Sequence, residues 1–269
     1  MVARNRFNFG RNWEKFVRQV GEESIKKSIK SLRNSLKLET LSGKTFLDVG
    51  CGSGLFSLAA MQLKADKVVS FDYSAESVNA AMTLKNAYFK DSKNWLIMQG
   101  SILDKQFLSE IGGFDIVYSW GVLHHTGDMR QALKNVIPLI KRNGLLFIAI
   151  YNDQGRVSRR WRKVKCFYNK LPDFLKLPYV SFIMIIFEFK SFMVSLLRGR
   201  SPFPRWFRTK ARGMDIFYDW VDWVGGYPFE VASPEEISNF YYGRGFTLEY
   251  LKTCGGGSGN NEFIFRKNE

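Results

Sequence analysis

The sequence predicts an α/β fold built on a mostly parallel sheet. Three observations carry that expectation. Short apolar runs alternate with helix-like segments between residues 44 and 151. The first run ends at Val49 and is followed by Gly50, Gly52 and Gly54 at alternate positions. The second run ends at an acidic residue, Asp72, eighteen residues after Gly54. Strands that alternate with helices pair in parallel through right-handed crossovers. A strand, a tight glycine turn and a new helix form a concave site for a nucleotide, because the first N–H groups of the helix have no internal partner.

Length and composition set the bounds. A chain of 269 residues holds one large α/β domain with an insertion, or two small domains. At 45% hydrophobic and 16% aromatic it can bury a sizeable core. Cys51, Cys166 and Cys254 lie far apart, which suggests neither a disulfide framework nor a zinc cluster, and no metal site is expected. A reducing compartment follows as the expectation. The start, Met1-Val2-Ala3-Arg4, has no apolar h-region, so a cytoplasmic location is expected. The net charge of +15 is uneven. Residues 1–43 hold 10 basic and 4 acidic residues, and residues 152–212 hold 15 and 3. The rest is slightly acidic. Such localisation points to a partner or surface of negative charge.

In chain order, residues 4–16 mix aromatics (Phe7, Phe9, Trp13, Phe16) with basic residues. Residues 22–38 read as a basic helix with Ile25, Ile29, Leu32 and Leu36 at helical spacing. This arm, 1–43, either packs beside the domain or caps the ligand site. Strand Lys44–Val49 precedes helix Leu55–Lys64, and strand Lys67–Phe71 leads through Asp72 to Ser74, which can cap a helix running to about Phe89. Strand Trp95–Met98 follows, then strand Phe114–Ser119 and a helix over about Met129–Lys141, ended by Asn143-Gly144. Leu145–Tyr151 reads as a buried strand. The regular order breaks at Asn152 and resumes at Ser233-Pro234-Glu235-Glu236, a helix start with proline in the first turn and acids against the dipole. Strands Phe246–Thr253 and Glu262–Arg266 close the chain, separated by the glycine-rich loop Gly255–Gly259, read as a hairpin loop. The core domain is therefore 44–151 with 233–269, and 152–232 is an insertion.

A carboxylate at Asp72 can accept both hydroxyls of a ribose. That spacing also suits a dinucleotide fold. Here, however, the turn reads Asp48-x-Gly50-x-Gly52-x-Gly54, not G-x-G-x-x-G, and the acid before the glycines favours a ligand amine over a pyrophosphate. Asp48-Val49-Gly50-Cys51-Gly52-Ser53-Gly54 resembles motif I of the class I S-adenosylmethionine-dependent methyltransferases. Phe71-Asp72-Tyr73-Ser74 resembles their ribose-binding motif, and Gln99-Gly100-Ser101-Ile102 stands where that family contacts adenine. Asp115 to His125 resembles their fourth strand and following loop, and Arg142-Asn143-Gly144-Leu145-Leu146 the turn into strand five. The style is similar to the small-molecule branch that includes the ubiquinone-pathway O-methyltransferases.

The resemblance implies a Rossmann-like, seven-stranded, mostly parallel sheet whose last strand is antiparallel and inserted beside strand six. It implies S-adenosylmethionine as cofactor. Asp48 would hold the methionine amine through backbone or water. Gly50, Cys51, Gly52 and Gly54 would line the cofactor, with Cys51 a small filler rather than a nucleophile. Asp72 would bind the ribose with Tyr73 beside the adenine, Ser101 and Ile102 would flank the adenine, and Trp120 would stand against the methionine moiety. His124 and His125, the two histidines of the chain, are candidates for a general base toward an oxygen nucleophile, His125 ahead.

The insertion carries the basic run Arg156 to Lys165 and then an apolar stretch, Phe174–Leu197, interrupted by Glu188 and Lys190, which argue against a bilayer span. A lid or core helix and contact with an anionic membrane surface are both consistent with it. Pro202 to Arg208 is a proline-broken aromatic-basic segment, and Asp219 to Glu230 could wall an acceptor pocket. The expected function is methyl transfer to a small-molecule or lipid-linked acceptor at oxygen. An RNA methyltransferase is the second reading, less favoured because no appended RNA-binding module is recognised. A non-catalytic protein docking a membrane or partner is the third. The oligomeric state is not legible.

Overall fold

The computed structural model describes residues 7, 9–17, 20–197, 199 and 216–268. The chain divides into two compact units, residues 8–158 with 228–269 and residues 1–7 with 159–227.

The larger unit is built on a sheet of seven strands among the described residues: β1 (Thr45–Val49), β2 (Lys67–Asp72), β3 (Trp95–Gln99), β4 (Phe114–Trp120), β5 (Ile140–Tyr151), β6 (Phe246–Lys252) and β7 (Asn260–Lys267). Their order is β3-β2-β1-β4-β5-β7-β6. Strands β1 to β5 are parallel, and β7 lies between β5 and β6, antiparallel to both. This is the expected Rossmann-like topology with the last strand inserted beside the sixth. The order reverses between β1 and β4, and ligands of open parallel sheets bind outside the carboxyl ends at such a switch.

Alternation along each strand sends successive side chains to opposite faces. Phe46, Ile116 and Phe147 pack on one face with Ile25, Leu32 and Leu36 of α2 (Glu22–Leu36) and Leu58 of α3 (Leu55–Gln62). Leu47, Val117 and Leu146 pack on the other with Leu133 of α6 (Met129–Asn135) and Tyr241 of α10 (Pro234–Tyr242). The remaining helices of this unit are α1 (Gly10–Val17), α4 (Ala75–Tyr88) and α5 (Lys105–Ile111). The foreseen caps form. Ser74 accepts from the Ser77 N–H at the start of α4. Ser233 and Glu236 make a reciprocal capping box at the start of α10.

One expected element is corrected. The helix foreseen to Lys141 ends at Asn135, a 3-10 turn follows at Ile137–Leu139, and β5 already begins at Ile140. Pro138 lacks the N–H that an α-helix would need there. Asn143-Gly144 therefore does not end a helix. It lies in a bulge of β5, where the pairing slips from Phe114↔Ile140 to Ile116↔Leu145 and Asn143 takes φ 59°.

The smaller unit contains α8 (Asp173–Leu197), α9 (Ile216–Gly225) and, from Arg159 onward, α7 (Arg156–Lys170). Trp161, Tyr168, Val180 and Val224 are buried. Lys165 is fully buried among them and donates to the Trp223 carbonyl, with its ammonium 4.4 Å from the Trp223 ring centroid and 5.9 Å from that of Trp161. Burial lowers its pKa to about 7, against the opposing pull of Asp222. Asn169 donates to the Gly225 carbonyl at 2.7 Å, so α7 is fastened to α9 at two points. The core-helix reading of Phe174–Leu197 does not hold, since only 6% of the most apolar window of α8 is buried. The Pro202 to Arg208 segment lies outside the described residues.

Candidate functional site

The glycine turn stands at the carboxyl edge of the sheet. Gly50, Gly52 and Gly54 take φ of 72°, 53° and 77°, which only glycine adopts cheaply. The N–H groups of Gly50 and Cys51 donate to the Phe71 carbonyl at 2.8 and 3.0 Å, closing the turn on the end of β2. At Gly54 a methyl group would lie 2.9 Å from the Ala81 Cβ, so the start of α3 sits directly on α4.

Asp72 joins the two strand ends. Its Oδ2 accepts from the Gly52 N–H at 3.0 Å and its Oδ1 from the Ser74 N–H at 2.9 Å. These bonds hold the carboxylate in one orientation beside the turn. Each oxygen carries two acceptor lone pairs, the capacity that a ribose diol requires. Tyr73, next along, is half exposed, and its carbonyl accepts from the Gln99 side chain at 3.1 Å. Ser101 accepts from the Leu103 N–H at 3.1 Å. Ile102 turns its side chain into the core with Phe71 and Leu108, and its carbonyl accepts from Asn135 at 2.8 Å.

Asp48 is buried beneath the turn rather than open to its rim. It accepts from the Ser57 hydroxyl at 2.5 Å. Ser57 lies 2.7 Å from the Ser70 hydroxyl, which accepts from the Trp95 indole N–H at 2.9 Å. This chain of polar groups was not foreseen, although serines in the apolar runs around Ser57 and Ser70 were its visible trace. Burial, with the Asp72 charge adding, raises the Asp48 pKa to about 7 against the opposing Ser57 bond. The sign of the consequence follows. An unfolded aspartate ionises near 3.8, whereas folded Asp48 keeps its proton up to about pH 7. The folded state therefore binds more protons in that window, and the Asp48 contribution to stability is lost as pH rises through it. Asp48→Asn should remove that slope. In denaturant melts the stability of the parent relative to the variant should fall as pH rises from about 4 to about 7, and parallel curves would contradict the account. Cys51 is also buried, and burial with the Asp48 and Asp72 charges pushes its thiol up, away from a reactive thiolate.

The histidines follow β4 in a 3-10 turn, Leu123–His125. His124 is fully buried, its Nδ1 3.4 Å from the Tyr151 N–H and its ring 4.0 Å from the Tyr151 ring. His125 lies 2.6 Å from the Pro228 carbonyl through Nδ1. A carbonyl only accepts, so this bond assigns the neutral-ring proton to Nδ1 and the basic lone pair to Nε2. Phe9 and Tyr151 flank the ring at 5.0 and 5.3 Å. Pro228 and Glu230 close the segment read as a possible wall of the acceptor pocket, and their hold on the histidine turn was not foreseen. The Glu230 N–H donates to the His124 carbonyl at 3.0 Å, and its carboxylate accepts from the Met129 N–H at 3.0 Å, so this strand of chain fastens the histidine turn. Trp120 ends β4, and its indole donates to Glu262 of β7 at 3.4 Å. Trp13 of α1 lies against the glycine turn: a methyl at Gly52 would meet its Cε2 at 2.9 Å. The structure thus gathers the turn, Asp72, Trp120 and the histidines at one edge of the sheet, and sets Asp48 and Ile102 beneath it.

An amino-acid nucleoside fits this donor set. The positive-φ glycines bend the backbone at the sheet edge, with Val122, Trp13 and Ala81 packed over Gly50, Gly52 and Gly54, and a fixed carboxylate stands beside them. Among the described residues no cluster of three or more His, Cys, Asp and Glu could hold a metal ion.

The sequence profile of a family described as a methyltransferase domain matches residues 40–207. A ubiquinone biosynthesis O-methyltransferase of Pelagibacter ubique (strain HTCC1062) is 31% identical over 131 residues, covering 49% of this chain and 50% of that protein. A tRNA U34 carboxymethyltransferase of Campylobacter jejuni (strain 81116 / NCTC 11828) is 25% identical over 146 residues, covering 54% of this chain and 47% of that protein. The chain thus spans about half the length of the curated relatives it matches. The crystal structure of magnesium protoporphyrin IX methyltransferase from Synechocystis PCC 6803 with bound SAH superposes with a TM-score of 0.50 at 14% identity, covering 99% of this chain and 90% of that one.

Proposed function

The chain belongs to the S-adenosylmethionine-dependent methyltransferase family, and from that premise we propose that it methylates a hydroxyl oxygen of a small-molecule or lipid-linked acceptor. S-adenosylmethionine is the cofactor of the family, and when bound it supplies a methyl group on a cationic sulfonium. The cofactor part of the reading is carried by the Asp72 carboxylate held between the Gly52 and Ser74 N–H groups, and the acceptor part by His125, whose bond to the Pro228 carbonyl leaves the basic lone pair on Nε2. In this reading Asp72 receives the ribose hydroxyls, the rest of the cofactor lies along the glycine turn beside Trp13, which packs over Gly52, and Tyr73 and Ser101 border the adenine. His125 takes the acceptor proton at Nε2 while the Pro228 carbonyl holds its Nδ1–H. Methyl transfer is an in-line displacement, so alignment of the acceptor oxygen supplies much of the rate.

Isothermal titration of the parent and of Asp72→Ala with S-adenosylmethionine tests the cradle. Losing an ionic acceptor should weaken binding by about 10- to 100-fold. Unchanged affinity would remove Asp72 from the site. Labelled S-adenosylmethionine, purified protein and host extract, fractionated into lipid, small-molecule and RNA pools, then tests the acceptor class. Label in an ether-linked methyl of a small or lipid product is the expected result. A second reading, methylation of RNA, draws on the tRNA-modifying relative and on the clustered basic charge. It requires ribonuclease-sensitive label and binding that falls steeply with salt.

A further inference from the structure

We propose that α8 docks the chain on a membrane surface rich in anionic lipid, its apolar side chains entering the interface while the basic face of α7 lies on the headgroups. The inference stands apart from the methyl-transfer reading and concerns the smaller unit alone.

Helix α8 is 25 residues long, with a mean hydropathy of 1.9 over its most apolar window. At 1.5 Å per residue it extends roughly 37 Å. One side is used within the unit. Val180 is fully buried, the Phe187 ring lies 4.9 Å from Trp161, and Tyr179 lies 5.4 Å from Phe167. Much of the described remainder faces outward: Phe182, Ile185 and Phe189 are 60%, 62% and 63% exposed, and Leu197 83%. An apolar face of that extent marks an interaction site rather than ordinary surface.

The neighbouring helix tells what the partner is. Trp161, Lys165 and Tyr168 line the buried side of α7. Arg159, Arg160, Arg162, Lys163 and Lys170 are exposed, and at helical spacing they fall on the opposite side. The sequence that follows α8, residues 198–212, adds six basic residues and no acid. A second copy of this chain would offer an apolar face but bring the same positive charge against itself. An acidic soluble protein would answer the charge and leave the long apolar face uncovered. An anionic bilayer surface answers both at once, since hydrocarbon lies a few ångströms beneath phosphate. Two charged residues within the apolar run, Glu188 and Lys190, favour a helix lying in the plane of the interface over one that crosses.

Co-sedimentation of the purified full chain with sucrose-loaded vesicles tests this, using phosphatidylcholine alone or mixed with phosphatidylglycerol. The parent should sediment with the mixed vesicles and release as salt is raised. Phe182→Asp/Ile185→Asp/Phe189→Asp should lower partitioning by about 100-fold. Arg159→Glu/Arg160→Glu/Lys163→Glu should abolish the preference for phosphatidylglycerol. Melting temperature and the heat of S-adenosylmethionine binding, measured on both variants, should match the parent. They show that the fold is intact and keep this test separate from that of the cofactor site. Parent protein that stays in the supernatant with both vesicle types overturns the proposal, as does equal sedimentation of parent and aspartate variant. A dimer seen by light scattering and lost in that variant, without vesicle binding, would assign the face to a second copy. Resistance to an alkaline carbonate wash would overturn the in-plane placement.

Discussion

Replacing His125 by glutamine is expected to lower the rate of methyl transfer by about 10²- to 10⁴-fold, the span that a positioned general base contributes. The expectation rests on which nitrogen carries the basic lone pair. The 2.6 Å approach of Nδ1 to the Pro228 carbonyl requires a proton on Nδ1, so the neutral ring presents its lone pair at Nε2. A base must be held as well as poised. Here Phe9 and Tyr151 brace the ring, and Glu230 ties the turn that carries it. Glutamine keeps a donor for the Pro228 carbonyl but has no basic nitrogen. Affinity for S-adenosylmethionine should stay near that of the parent, because the cradle around Asp72 is untouched. Single-turnover rates and titrations of the same two proteins decide the matter. A parent-like rate would show that the acceptor arrives already ionised or needs no base, and would return His125 to a packing role. His124, fully buried and stacked on Tyr151, is the natural comparison. His124→Gln should act chiefly on stability.

The largest effect on stability is expected at Trp95. It is fully buried in β3, packs with Phe89, and stands 3.4 Å from the position a Cβ would take on Gly54. Its indole N–H also ends the polar chain that runs through Ser70 and Ser57 to Asp48. Trp95→Ala should cost about 3–5 kcal/mol, because the cavity forms beneath the site and the strands around it cannot close over it. For a chain of this size that is on the order of 10 °C in melting temperature. Trp95→Phe keeps an aromatic ring but loses the bond to Ser70 and leaves a smaller cavity, so it should cost less, about 1–3 kcal/mol. A Trp95→Ala protein that melts with the parent would mean that the turn does not rest on this side chain.

Much of the fold was legible because its signals are local. The glycines of the turn were readable because a chain that must take positive φ at alternate positions has few other residues to use. Ser74 and Ser233 announced helix starts because a cap acts within three residues. The helix foreseen to Lys141 failed on a competition that periodicity alone does not settle. Its apolar spacing ran on past Pro138, but the missing N–H and the approach of β4 turned those residues into a bulged strand. At the site, Asp72 was identifiable from its place at a strand end. Its bonds to the Gly52 and Ser74 N–H groups depended on how two strands align. Asp48 was read as reaching the methionine amine through backbone or water, and nothing local announced its buried bond to Ser57.

By itself the sequence determined the alternation of strands and helices, the glycine bend with its following acid, and the concentration of positive charge in 1–43 and 152–212. Only the tertiary structure decided that Pro228 selects the His125 tautomer from 103 positions away, that Asp48 sits under the bend, and that α8 leaves its apolar side uncovered. The division is physical. Backbone sterics, caps and charge act between neighbours along the chain, whereas burial and proton placement depend on which distant groups the packed sheet brings together.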